Sequence, residues 1–158
     1  MDTLDKYDHR LLTINNTTED LGLNKLLYNQ IMSEITNLSE YKKGSLFGRE
    51  KDKSFESSIS TIYQTAFGEE LYPSVEEKAA NLLYFIVKNH SFYDGNKRIA
   101  ASVFVCFLDM NNILYKEDGA KLVEDNTLVA LVLMIALSDP TERDVVIKII
   151  INLINRNN

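Results

Sequence analysis

The sequence predicts an all-α bundle carrying one short β-hairpin. Apolar residues recur at steps of three and four through most of the chain, capping signatures open two of these runs, and no alternating pattern lasts more than a few residues. There is no internal repeat. The 158 residues and 45% hydrophobic content suit one domain with one sizeable core, taken as 23–155, after a lead-in at 1–22 and before a short Asn-rich tail at 156–158.

The first run, Leu23, Leu26, Leu27, Ile31, Ile35 and Leu38, lines one face of a helix over 23–41, and Gly44 ends it. From Gly44 to Phe55 two glycines and an alternation too brief for a real sheet predict a short hairpin or loop. Phe55, Ile59, Ile62, Tyr63 and Phe67 then return to helical spacing, which Gly68 stops. Pro73-Ser74-Val75-Glu76-Glu77 is a capping box, with Ser74 and Glu77 each able to bond the other's amide. The helix it opens turns Val75, Ala79, Leu82, Leu83 and Ile86 inward and ends near Asn89. A helix from Asn96 to Met110, apolar nearly all round, comes next and is expected at the centre. Two more are predicted: Thr127 to Ser138, and one opened by Asp139-Pro140-Thr141-Glu142 with Val145, Ile149 and Leu153 inward.

Bulk chemistry narrows the function classes. The longest apolar stretch, Leu128 to Leu137, is ten residues, about half of a membrane span, and the N-terminus lacks an apolar signal core. Cys106, the one cysteine, is flanked by Val103, Phe104, Val105 and Phe107 and reads as a small core side chain. A reducing cytoplasm is the expected compartment. The net charge of −6 opposes a phosphate backbone, so nucleic acid is not the expected partner. The basic cluster Lys42, Lys43, Arg49, Lys51 and Lys53 is interleaved with Glu50 and Asp52 and reads first as a solvated loop.

Between the two most apolar helices stands a polar link, His90-Ser91-Phe92-Tyr93-Asp94-Gly95-Asn96-Lys97-Arg98. Gly95 allows a turn that aims the amides of Asn96, Lys97 and Arg98, at a helix N-terminus, toward one anion. Lys97 and Arg98 add full charges, and Asp94 offers one carboxylate to a magnesium ion that keeps most of its waters. Nucleotide phosphates satisfy all of these together. If the link folds back, it brings the His90 imidazole beside them, where it can take a proton from an incoming hydroxyl. Phe92 points into the core and fixes the spacing of base and nest. Taken singly, each feature has a bland alternative: a histidine that caps carbonyls, an Asp-Gly turn, a solvated Lys-Arg pair. Their coincidence favours phosphoryl or nucleotidyl transfer.

The link resembles the Fic signature: histidine, any residue, phenylalanine, any, acidic, glycine, asparagine, any, arginine. Six fixed positions agree, a chance on the order of one in ten million windows. The resemblance covers residues 23 to 155, with Gly44 to Phe55 as the family's hairpin flap; Leu4-Asp5-Lys6-Tyr7-Asp8-His9 and the layout are similar to the C-terminal part of RhuM-type virulence-associated proteins, which implies a missing N-terminal domain. It implies a Fic-like bundle in which His90 deprotonates the hydroxyl of a target protein, Asp94 holds Mg2+, Gly95, Asn96 and Lys97 lie along the phosphates of ATP, and Arg98 pairs with the terminal ones. The flap residues Leu46, Phe47, Gly48 and Arg49 would dock the target segment as an added strand.

Two departures bear on the reaction. Ser91 replaces the usual proline, and Lys97 replaces the second glycine of nucleotidylating members. The leading expectation is AMP transfer from ATP to a Ser, Thr or Tyr hydroxyl. Lysine at 97 resembles the Doc branch, where the terminal phosphate moves instead; Gly95 is a Fic trait that Doc replaces with alanine. A module that binds nucleotide or a partner without chemistry is the third reading. The family's inhibitory glutamate, in a Ser/Thr-x-x-x-Glu-Gly/Asn helix, has no clean copy at Thr65–Glu69 or Ser138–Glu142, so an antitoxin-like chain or the missing domain is the expected regulator. The target is one of the cell's own proteins or, after delivery, a host's.

Overall fold

A computed structural model describes residues 25–155. The lead-in at 1–22, the Leu4–His9 resemblance, Leu23 and the 156–158 tail lie outside the described residues. The chain runs α1 (Tyr28–Thr36), α2 (Ser54–Thr61), β1 (Thr65–Ala66), β2 (Glu69–Glu70), α3 (Val75–Asn89), α4 (Asn96–Met110), α5 (Asp125–Leu137), a 3-10 turn (Pro140–Glu142) and α6 (Arg143–Ile154). The all-α class with one small hairpin is the architecture found, and no described helix is long and apolar enough to cross a membrane.

The hairpin, however, is not at 44–55. It is β1–β2, with Thr65 opposite Glu70 and Ala66 opposite Glu69. Its two-residue loop is Phe67-Gly68, both at positive φ (54° and 81°), the backbone that matches the twist of a tight hairpin. Gly68 is therefore a turn residue and not a helix stop, and Phe67 stands fully exposed at the tip. The helical spacing that included Phe67 ends at Thr61.

The first helix is also shorter than its periodicity. Leu27 is its N-cap and half exposed, and after Thr36 the bonding changes to i→i−3, from Asn37 to Glu34 and from Leu38 to Ile35. Thr36, Asn37 and Ser39 are weak helix formers whose short side chains compete for the backbone; the Thr36 hydroxyl bonds the Ser33 carbonyl. A compact turn then carries Glu40 to the start of α4, where it meets Arg98, and sets Tyr41 against Gly48.

The hub is α3 and not α4. Its capping box is formed in both directions, Glu77 N to Ser74 Oγ at 3.0 Å and Ser74 N to Glu77 Oε1 at 3.3 Å. Ala79 and Ala80 are fully buried, and such small side chains let α2, α4, α5 and α6 all pack around it. In α4, Ile99, Val103, Phe104 and Phe107 are buried, while Ala101, Ser102, Val105 and Cys106 are half exposed. Cys106 thus lines a surface groove with Ile31, Glu34 and Met110, and partial burial, with Glu34 and Asp109 nearby, pushes its thiol pKa up. In α6 the buried face is Val146, Ile147, Ile150, Ile151 and Ile154, one residue on from the expected stripe; Leu153 is half exposed. A one-residue error rotates the face by about 100°, and a helix apolar nearly all round does not say which stripe faces in.

Candidate active site

The nine-residue link is held from four sides. At its start, α3 ends with His90 as C-cap in the left-handed conformation (φ 51°, ψ 53°), a sharp reversal that few non-glycine residues adopt. Ser91, at the place of the family's proline, is buried; its hydroxyl lies 2.6 Å from that of Ser54, at the start of α2. Phe92 is fully buried, its ring 4.9 Å from Phe55, which in turn stacks toward Tyr28 at 6.1 Å. Such pairs add about 0.5–1.5 kcal/mol beyond area burial, so the aromatic chain ties the link to α2 and α1.

Asn96 makes the crossing bond inside the link. Its Oδ1 accepts from the Phe92 amide at 2.9 Å and its Nδ2 donates to the Phe92 carbonyl at 2.7 Å. The side chain expected along the phosphates is thus buried and spent on folding the link back, which leaves only its main-chain amide for an anion. The first bond of α4 runs from Ile99 N to Gly95 O; the amides of Asn96, Lys97 and Arg98 precede it and have no intrahelical partner. The Lys97 and Arg98 side chains are exposed beside them.

Gly95 is required twice over. It is the N-cap of α4 at φ 86°, and a Cβ there would stand 2.3 Å from Cε2 of Phe47. The flap segment packs onto the link and pairs with it: Gly48 N donates to Asp94 O at 3.2 Å, Tyr93 N to Arg49 O at 2.9 Å and Lys51 N to Ser91 O at 2.9 Å, through a parallel bridge Phe47–Asp94 and an antiparallel bridge Glu50–Phe92. This is why no hairpin forms within 44–55: the alternating residues find their partner across the fold. Of the four residues expected to dock a target, Leu46 and Arg49 are exposed, while Phe47 and Gly48 are buried against the link. Arg49 lies over the Tyr93 ring, 6.0 Å from its centre. The lysines of the basic cluster, Lys42, Lys43, Lys51 and Lys53, are all exposed, as a solvated loop requires.

Four further side-chain contacts complete the site. Arg98 Nε bonds Glu40 Oε2 at 2.7 Å, and its Nη1 bonds the Ser102 hydroxyl. The Ser39 hydroxyl and, next, Arg98 hold the Glu40 carboxyl below the usual carboxylate range. A signal existed: Thr36 and Glu40 have the Ser/Thr-x-x-x-Glu spacing, with Tyr41 where glycine or asparagine is expected. Glu69 is instead an exposed residue of β2, opposite Ala66, and Glu142 caps its own turn. Lys51 Nζ lies 2.8 Å from His90 Nδ1. Tyr28 donates its hydroxyl to Glu50 Oε2, which, with burial and the Glu50 charge, pushes the phenol up to about 12.

For magnesium, Asp94 is the available ligand. Its carboxylate is exposed and forms no ion pair among the described residues, and no group of three or more His, Cys, Asp or Glu that could cage a metal occurs among them. One carboxylate suits an ion held otherwise by water and phosphate oxygens.

Comparison with known proteins places the chain in a family. The chain is similar to Toxin Doc of Mycolicibacterium smegmatis, 33% identical over 63 residues that cover 40% of this chain and 48% of that protein. It therefore spans about half the length of the curated relative it matches. No solved structure matches it. The family model described as Fic/DOC family matches residues 19–108, more than half of the chain and the whole of the link, and the chain belongs to the Fic/Doc family.

Proposed function

We propose that the chain transfers a phosphorus-bearing group from ATP to a Ser, Thr or Tyr hydroxyl of a target protein. The observation that carries this is the arrangement of the link. A histidine at its first turn, and three helix amides without intrahelical partners beside two exposed cations at its last, are held at fixed separation by Phe92 and by the Asn96–Phe92 pair of hydrogen bonds. The His90 imidazole takes the hydroxyl proton, and the amides of Asn96, Lys97 and Arg98 with the Lys97 and Arg98 side chains receive phosphate charge. Positioning of base and anion supplies most of the rate. Asp94 would hold Mg2+, which when bound neutralises phosphate charge.

Two transfers share this machinery. AMP transfer is the reading that Gly95 favours, as the residue of the nucleotidylating members. Doc-like transfer of the terminal phosphate is the reading that Lys97 favours, and the relative's name, Toxin Doc, points the same way; on these two observations we place it first. That name also supports an antitoxin-like chain as a partner.

The test uses the purified chain with Mg2+, lysate proteins and ATP labelled at the α or the γ phosphorus. Label from γ alone on protein supports phosphate transfer, and label from α supports AMP transfer. His90→Ala should abolish either. ATP binding by calorimetry with no label on any protein would reduce the chain to a binding module.

A further inference from the structure

The lone pair that His90 needs as a base is engaged by a neighbouring side chain. Lys51 Nζ stands 2.8 Å from His90 Nδ1. An ammonium has three donors and nothing with which to accept, and a neutral imidazole has one unprotonated nitrogen. The contact therefore makes Nδ1 the acceptor and puts the ring's proton on Nε2; a doubly protonated ring would set two donors face to face.

The fold builds this contact. Lys51 donates its amide to the carbonyl of Ser91, the residue after His90, at 2.9 Å, so its backbone is fixed beside the histidine. Glu50, one residue earlier, is held by the Tyr28 hydroxyl and bridges to Phe92. The neighbouring Asp52 turns its Oδ1 to the Ser54 amide at 2.9 Å, and Lys51 forms no ion pair among the described residues. The ammonium that the flap brings to the link is thus given to the imidazole and not to a carboxylate.

We infer that Lys51 is a latch on His90: it occupies the one lone pair of the imidazole, and a hydroxyl is deprotonated there only after the ammonium withdraws. The inference rests on the reading of His90 as the base. Polyphosphate bound at the other end of the same link is the anion that would draw the ammonium off. Once it has gone, the hydroxyl O–H bond breaks as N–H forms on the imidazole, the oxygen bonds to phosphorus, and the leaving phosphate keeps the electron pair of the broken P–O bond. Lys51 touches none of the reacting atoms in this step and acts as a positioning residue through His90.

The test is the rate of carbethoxylation of His90 by diethyl pyrocarbonate, a reagent that acylates the unprotonated imidazole nitrogen. It is measured on the full chain without nucleotide by peptide mass spectrometry, with His9, the other histidine, as internal reference. Lys51→Met should raise the His90 rate relative to His9 about threefold or more, the low end of the net worth of one hydrogen bond, as suits an exposed pair. Lys51→Arg, which keeps a cationic donor, should stay close to wild type, and Lys51→Gln should fall between the two. Lys51 is exposed, so the variants should keep the wild-type melting curve, which circular dichroism checks. Equal rates in wild type and Lys51→Met, or Lys51→Arg as fast as Lys51→Met, would overturn the latch. No nucleotide, target or turnover is needed. Failure of the transferase reading, seen as no label transferred, is therefore distinguishable from failure of the latch, seen as an unchanged His90 rate.

Discussion

Arg98 and Glu40 are joined by a 2.7 Å Nε–Oε2 contact across 58 residues of sequence, although both side chains are substantially exposed. An exposed pair contributes little to stability, yet this one occupies the fork expected to meet the terminal phosphates. Removing Glu40 should therefore act on binding and leave folding almost unchanged. Glu40→Ala is expected to tighten ATP binding by roughly two- to fivefold, the range an exposed ion pair can impose, with a melting temperature near that of wild type. Calorimetry with ATP and Mg2+ checks it; unchanged or weaker binding would show that Glu40 does not compete with phosphate.

The Gly95–Phe47 contact bears on which branch of the family this chain can resemble. An alanine at 95 would need a left-handed backbone and would overlap the Phe47 ring, at a cost of about 1–3 kcal/mol. Phe47→Ala alone should cost about 3–5 kcal/mol as a buried aromatic lost. The double variant should fall short of the sum by about 1 kcal/mol or more, because the overlap is relieved. Urea denaturation of the four proteins measures this, and strict additivity would remove the ring as the reason for glycine.

What the sequence made legible was local. His90 to Arg98 could be read because cap, loop and helix start are contiguous, and the Ser74 and Asp139 capping boxes because their partners lie three residues apart. What it hid was carried by contacts between distant segments. Lys51 meets His90 across 39 residues, and Gly48 to Lys51, in a stretch that alternates like a hairpin strand, pair with residues 91–94. The true hairpin was masked by Phe67, whose spacing continues a helix that had already ended. In α6 the apolar residues are so many that periodicity cannot choose between adjacent stripes. Even within the link, the sequence could not tell the Asn96 side chain from its amide: the residue belongs to the signature, but its side-chain carboxamide folds the loop.

That distinction can be tested through stability. If the Asn96 side chain were reserved for phosphate, its removal would weaken nucleotide binding alone. Because it satisfies both main-chain groups of buried Phe92, Asn96→Ala should destabilise the chain by about 1–3 kcal/mol and also weaken ATP binding, since the loop loses its crossing bonds. Asn96→Asp should be no better, because a carboxylate accepts from the Phe92 amide but cannot donate to its carbonyl. Denaturation without nucleotide decides it: a variant as stable as wild type would return the side chain to the phosphates.

The Tyr28–Glu50 bond predicts an alkaline weakness of the flap. The phenol is raised from 10.0 to about 12, chiefly by its hydrogen bond to Glu50 and then by burial. A folded value above the unfolded one means that the contribution is fully present below pH 10 and is lost as pH rises through about 12. Between those limits the unfolded chain releases a proton that the folded chain keeps, so the melting temperature should fall faster in wild type than in Tyr28→Phe. Titration of the phenols by ultraviolet difference, wild type minus Tyr28→Phe, should show one of the eight tyrosines titrating near 12 and not near 10. A difference curve centred at the ordinary value would mean that Glu50 does not hold the hydroxyl in solution.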